Sequence, residues 1–190
     1  MTIGELIGQI LGIILIIGCI LNAQFPKRWQ MLLGQVFLNI LSATNMFLLG
    51  QGLTACLPCI VAAVHCGVNV IKDRKGKGTR LGETIFFCSL YPIAWGIGFF
   101  ISVKSGNASW LDIIPLLALA FFISSVIIPK EQLMRLCTLG NATVYSVYNI
   151  IYMNVAVFAH LFTIASIIIA LIRYRKTDKN PINTDNTEKT

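Results

Sequence analysis

The 190-residue sequence predicts an all-α polytopic membrane protein, and three observations carry that expectation. Only 12% of its residues are charged while 56% are apolar, half the charge an ordinary soluble domain uses to cover its surface. The charges fall between long uncharged runs rather than within them. Fourteen of the fifteen Lys and Arg residues can be assigned to one side of a membrane once those runs are read as spans.

A bilayer core of about 30 Å needs roughly 20 apolar helical residues. The uncharged runs are Leu6 to Pro26, Trp29 to Ile71, Thr84 to Val103, Ile113 to Pro129 and Leu136 to Ile172. The second and fifth hold 43 and 37 residues, so each is long enough to cross twice. Their breaks are expected at Gly50-Gln51-Gly52 and near Met153-Asn154, where the apolar pattern is interrupted. The predicted helices are 5–24, 31–49, 53–72, 84–103, 110–128, 135–152 and 155–174. Seven spans result.

With the N-terminus outside, the cytoplasmic side receives Lys27 and Arg28, then Lys72, Arg74, Lys75, Lys77 and Arg80. It also receives Lys130, Arg135, Arg173, Arg175, Lys176, Lys179 and Lys189, leaving Lys104 alone outside. Short cytoplasmic loops collect basic residues in this way. The expected topology is therefore N-terminus out and C-terminus cytoplasmic. The net charge of +7 reads as an orientation signal, so no nucleic acid partner is expected. The first helix has no basic residue before it and reads as a span rather than a cleaved signal. Residues 1–175 form one transmembrane domain, and the polar segment 176–190, with three Asn and four Thr, reads as a disordered cytoplasmic tail.

A shift of 104 residues lays the second and third helices on the sixth and seventh. Seven identities result, among them Leu32/Leu136, Ser42/Ser146, Asn45/Asn149 and Ala55/Ala159. Loops and hairpins coincide as well. The chain then divides into a first triple-helix bundle (5–72), a linker helix (84–103) and a second triple-helix bundle (110–174). In this 3+1+3 arrangement the two bundles are parallel, because an odd number of spans separates the copies.

The order of elements, the Ser-x-x-Asn on the second helix of each unit and the Phe47-Leu48-Leu49-Gly50 ending resemble the YgjV-type bacterial inner-membrane protein family. More distantly, the chain to about residue 175 resembles the SWEET, SemiSWEET and PQ-loop (MtN3-like) transporters. That resemblance implies a two-bundle fold, a multi-pass inner-membrane location and transport of a small solute. The third helices read Ala55-Cys56-Leu57-Pro58-Cys59 and Ala159-His160-Leu161-Phe162-Thr163, without the Asn that SWEET-like transporters place there. The Pro-Gln pair of PQ-loop proteins is absent too.

Intramembrane polar residues are costly and often mark a solute path. Asn45 and Asn149 stand at matched positions near the centre of each unit, with Ser42 and Ser146 on the same faces. Tyr148 and His160 complete the set of candidate residues for binding an uncharged solute. The competing reading is interhelical hydrogen bonding. His65 lies within the third helix, with no intramembrane carboxylate to accompany either His, since every Asp and Glu sits at a span end or in a loop.

Gly4, Gly8 and Gly12 share one face of the first helix, suited to close helix packing within the bundle or to a homo-oligomer. Cys56 and Cys59 form a Cys-x-x-Cys, which keeps a thiol redox or metal role as a minor alternative. No cofactor, bound metal or enzymatic activity is expected, and neither a phosphate loop nor a catalytic motif is present. Membrane lipids and a small uncharged solute are the expected partners. The rival expectation is a non-transporting membrane scaffold or assembly protein.

Overall fold

The computed structural model describes residues 3–48, 53–77, 81–106, 110–151 and 156–174. These residues form seven α-helices and one 3₁₀ turn, with no strand among them. The helices are α1 (Ile3–Gln24), α2 (Arg28–Leu48), α3 (Leu53–Arg74), α4 (Leu81–Lys104), α5 (Ile114–Ile127), α6 (Glu131–Ile151) and α7 (Ala156–Tyr174). The expected breaks at Gly50-Gln51-Gly52 and Met153-Asn154 and the tail 176–190 lie outside the described residues.

Four helices begin earlier than the uncharged runs suggested: α1 at Ile3, α2 at Arg28, α4 at Leu81 and α6 at Glu131. Backbone hydrogen bonding does not stop at a charge, so the first turn takes in residues that a hydropathy ruler leaves out. At α2 the Lys27 N–H donates to Gln30 Oε1 at 3.3 Å, half of a capping box. At the other end of α3, Gly76 adopts φ +62°, a left-handed conformation that glycine takes without steric cost. The Lys77 N–H then returns to the Lys72 carbonyl at 3.0 Å, in the manner of a Schellman cap.

The span expected at 110–128 is not one helix. Trp110–Ile113 forms a 3₁₀ turn, and α5 follows for 14 residues with Pro115 in its first turn. Proline lacks an N–H, so it suits a helix start better than a helix interior. The stop is equally local: Ile128 is extended, with ψ 125°, as the residue before Pro129 should be. Helix and turn together rise about 29 Å.

Five helical segments are long and apolar enough to cross a membrane: Leu6–Gln24, Arg28–Leu48, Cys56–Arg74, Leu81–Lys104 and Val157–Tyr174. α5 is apolar but short, and α6 carries Glu131, Gln132, Arg135, Asn141 and Thr143. Of seven expected spans, five thus meet the criteria of length and composition.

Consecutive helices pack on one another from α1 to α4 and again from α5 to α7, and α1 closes on α7. α3 and α4 touch α5. A core of Met31, Leu32, Cys66, Val70, Val126 and Met134 joins α2, α3, α5 and α6. A second core of Ala62, Phe87, Tyr91 and Leu119 joins α3, α4 and α5. The outside is apolar: Ile13 is 60% exposed and Phe100 68%. Such a surface would be an aggregation hazard in water and suits contact with lipid chains.

Candidate functional site

The sequence-predicted residues do not converge on one site among the described side chains. Asn45 Nδ2 donates to the Gly8 carbonyl at 2.6 Å. Gly8 is buried, and a methyl group built on Gly12 would stand 3.7 Å from Asn45 Nδ2. This part of the glycine face is therefore turned toward α2. Ser42 is half-buried, and Ser146 is buried with its hydroxyl on its own helix, donating to the Ala142 carbonyl at 2.8 Å. His160 stacks on Tyr145 at 5.4 Å between ring centres, holding α7 to α6. Tyr148 is half-buried, and the Asn149 side chain lies outside the described ones.

A matching contact does occur in the second half, two turns from the residue that the repeat had suggested. Asn141 Nδ2 on α6 donates to the Ala118 carbonyl on α5 at 2.7 Å. Each middle helix thus places one Asn on the backbone of the helix before it. A single strong bond within apolar surroundings fixes the pair's rotation, at a modest net gain of about 0.6 kcal/mol.

A fully buried imidazole lies between α3 and α4. His65 is 1% exposed, its ring stacked on Phe87 at 4.1 Å and its Nδ1 3.2 Å from the Tyr91 hydroxyl. Its Nε2 has no hydrogen-bond partner among the described residues. Asn69 Nδ2 donates to the His65 carbonyl at 3.0 Å, and the Cys66 thiol faces Gln35 Oε1 at 3.5 Å. His65, Asn69 and Cys66 all lie on one stretch of α3, and Gln35 faces them from α2. Burying a polar group without a partner costs about 1–3 kcal/mol, so an unpaired imidazole nitrogen at this depth asks for a role.

The six cysteines are free thiols, and Cys56 donates to the Ala43 carbonyl at 3.4 Å. Among the described residues no three His, Cys, Asp or Glu side chains group as metal ligands.

At the basic end of the helices, two arginines join the halves of the chain. Arg28, at the start of α2, pairs with Asp73 of α3. It also donates through Nε to the Ile128 carbonyl at 2.9 Å and through Nη2 to the Val126 carbonyl. Those carbonyls end α5, where helix geometry leaves acceptors unused and the dipole is negative. Arg135 of α6 does the converse: Nη2 donates to the Phe25 carbonyl just past α1 at 2.7 Å. Its guanidinium lies 4.6 Å over the Tyr174 ring, and the Tyr174 hydroxyl donates to the Gln24 carbonyl at 2.9 Å. The α1–α7 seam continues through Ser166, which donates to the Ile20 carbonyl at 2.9 Å and accepts from Gln24 Nε2.

Sequence reasoning assigned Arg28 and Arg135 to topology alone. Their one legible signal was position, each near the start of a unit's middle helix and just after the Pro-containing turns at Pro26 and Pro129.

No curated protein and no solved structure matches the chain. A family model described as "Bacterial inner membrane protein" matches residues 6–180. The apolar, lipid-ready exterior and the run of membrane-length helices are what such a family requires. The chain belongs to this family of multi-pass bacterial inner-membrane proteins, Imp-YgjV.

Proposed function

We propose that this inner-membrane protein binds or passes a small uncharged solute, and that His65 and the polar groups around it meet that solute. The observation carrying the proposal is the buried His65 Nε2, which has no partner among the described residues, on a ring whose Nδ1 faces the Tyr91 hydroxyl. An imidazole, a phenol and the nearby amides of Asn69 and Gln35 offer both donors and acceptors to hydroxyl or amide groups. The lack of carboxylates within the uncharged runs favours a neutral solute over a coupled cation.

In this reading the chain has seven spans in a 3+1+3 order, with parallel units and α4 as linker. The N-terminus lies outside and the C-terminus in the cytoplasm. The basic-residue distribution supports the orientation. The consecutive packing within each half and the Asn-to-backbone contacts of Asn45 and Asn141 support two similar units. Asn45 is spent on Gly8, so it takes second place to His65 as a solute contact. A scaffold would use the Gly4, Gly8 and Gly12 face together with the polar tail, and part of that face is turned to α2 within the chain.

A thermal-shift screen of the detergent-purified protein against sugars, polyols, amino acids and amides is the test. A stabilising solute whose effect disappears in His65→Gln and persists in Asn45→Ala is the expected result. A screen without any stabilising compound, together with no uptake into liposomes, would sink the proposal.

A further inference from the structure

A separate cleft of about 420 Å³ opens at the basic end, between the start of α2, the end of α3 and the start of α6. Arg28 and Asp73 line it and neutralise each other in an ion pair. Three further charges face the same space: Lys27, Lys77 and Glu131. None of these three side chains has an ion-pair partner among the described residues. Two unpaired ammonium groups and one unpaired carboxylate thus share a single cleft.

Local backbone structure holds them there. The left-handed turn at Gly76 and the return bond from Lys77 N–H to the Lys72 carbonyl bring the chain back beyond the end of α3. Lys27 precedes the first turn of α2, and Glu131 begins α6. Two helix starts therefore border the cleft, and both present positive dipole ends. Trp29 forms part of the wall, with the Arg74 guanidinium 5.1 Å from the centre of its ring. Tryptophan at the end of a span belongs at the depth of lipid head groups.

We infer that this cleft binds the zwitterionic head group of a phospholipid carrying a phosphate and a primary ammonium. The phosphate sits between Lys27 and Lys77 near the two helix starts, and the ammonium donates to Glu131. A purely anionic ligand would meet an uncompensated Glu131 carboxylate, and a purely cationic one would meet the two lysines. Only a ligand with both signs satisfies all three groups. The position at the end of membrane-length helices selects a lipid over a free metabolite. This inference stands apart from the solute reading, which concerns the enclosed region around His65.

The test is lipid retention by native mass spectrometry of the full chain, exchanged into nanodiscs holding equal parts phosphatidylethanolamine, phosphatidylglycerol and phosphatidylcholine. The expected result is several-fold enrichment of phosphatidylethanolamine in the retained lipid. Phosphatidylglycerol lacks the ammonium, and the quaternary ammonium of phosphatidylcholine cannot donate a hydrogen bond. Lys27→Gln combined with Lys77→Gln should lose retention of all three. Glu131→Gln should keep retention and lose the preference for phosphatidylethanolamine over phosphatidylglycerol. The lysines are exposed, so the double variant should stay folded, which its unchanged elution as a monodisperse species would verify. Equal retention of the three lipids by the wild type overturns the inference, as does an unaltered preference in Glu131→Gln. Displacement of the lipid by soluble phosphoethanolamine at matched concentration would overturn the choice of a lipid as occupant.

Discussion

Arg28 and Arg135 each hold the end of a helix in the opposite half of the chain. Arg28 donates to the Val126 and Ile128 carbonyls at the end of α5, and Arg135 donates to the Phe25 carbonyl at the end of α1. The two are not equivalent in the 104-residue register, which pairs Arg28 with Gln132 and Arg135 with Met31. The reciprocity therefore belongs to the packing rather than to matched residues. Each first helix ends in carbonyls without intrahelical donors, and a buried guanidinium from across the bundle supplies them.

Replacing Arg28 should be costly, because three acceptors depend on one side chain. Arg28→Ala leaves Asp73 and two carbonyls without their donor, an expected loss of about 2–4 kcal/mol. Arg28→Lys should recover less than half of it, since one ammonium cannot imitate a planar fork serving three directions. Asp73→Asn should cost less than either, because the Asp73 side chain is 22% exposed and water compensates the change. Thermal unfolding in one detergent gives the order, and a fully stable Arg28→Lys would refute the three-acceptor account.

Two glycines of α4 should respond in opposite directions to the same substitution. A methyl group on Gly98 would fall 2.5 Å from Thr54 Cα and 2.6 Å from Thr54 N. Those are backbone atoms that cannot swing aside, so Gly98→Ala must push α3 and α4 apart. Overpacking of this kind costs about 1–3 kcal/mol, and here it would also strain the Thr54–Ser102 hydroxyl pair at 3.0 Å. A methyl group on Gly96 meets nothing within 4 Å, so Gly96→Ala should be neutral or gain up to about 1 kcal/mol. Melting temperatures of the two variants decide the matter, and equal values would contradict the close approach of α3 and α4.

Much of this layout was legible before any contact was known, because bilayer thickness and charge placement are properties of segments. Helix existence needs only run length and breaks. Helix ends were less legible: Arg28 and Glu131 looked like loop residues, since their charge hid their place in a first turn. The short α5 was missed because Ile113 to Pro129 is an unbroken uncharged run, while Pro115 decides where the α-helix starts. Residue roles were the least legible. Asn45 stood out through its repeat partner, yet its contact is the Gly8 backbone, and the comparable contact in the second half comes from Asn141. Hydrogen bonds to backbone carbonyls leave no complementary residue type in the sequence. His65 became notable only when Tyr91 and Phe87, more than twenty residues away, were found around it.

The Arg135–Tyr174 contact allows two interactions to be separated on one side chain. The Tyr174 ring lies under the Arg135 guanidinium at 4.6 Å, while its hydroxyl donates to the Gln24 carbonyl at 2.9 Å. Tyr174→Phe removes the hydrogen bond alone, an expected loss of about 1 kcal/mol. Tyr174→Leu removes the aromatic face as well, which adds about 0.5–1 kcal/mol for a partly desolvated cation–π contact. The difference between the two variants should vanish when Arg135 is replaced by Gln, because no cation then remains over the ring. A double-mutant cycle on Arg135→Gln with Tyr174→Phe and with Tyr174→Leu measures this directly. If Phe and Leu at position 174 differ equally with Arg or Gln at 135, the ring contributes only packing, and the Arg135–Phe25 bond alone ties α6 to the end of α1.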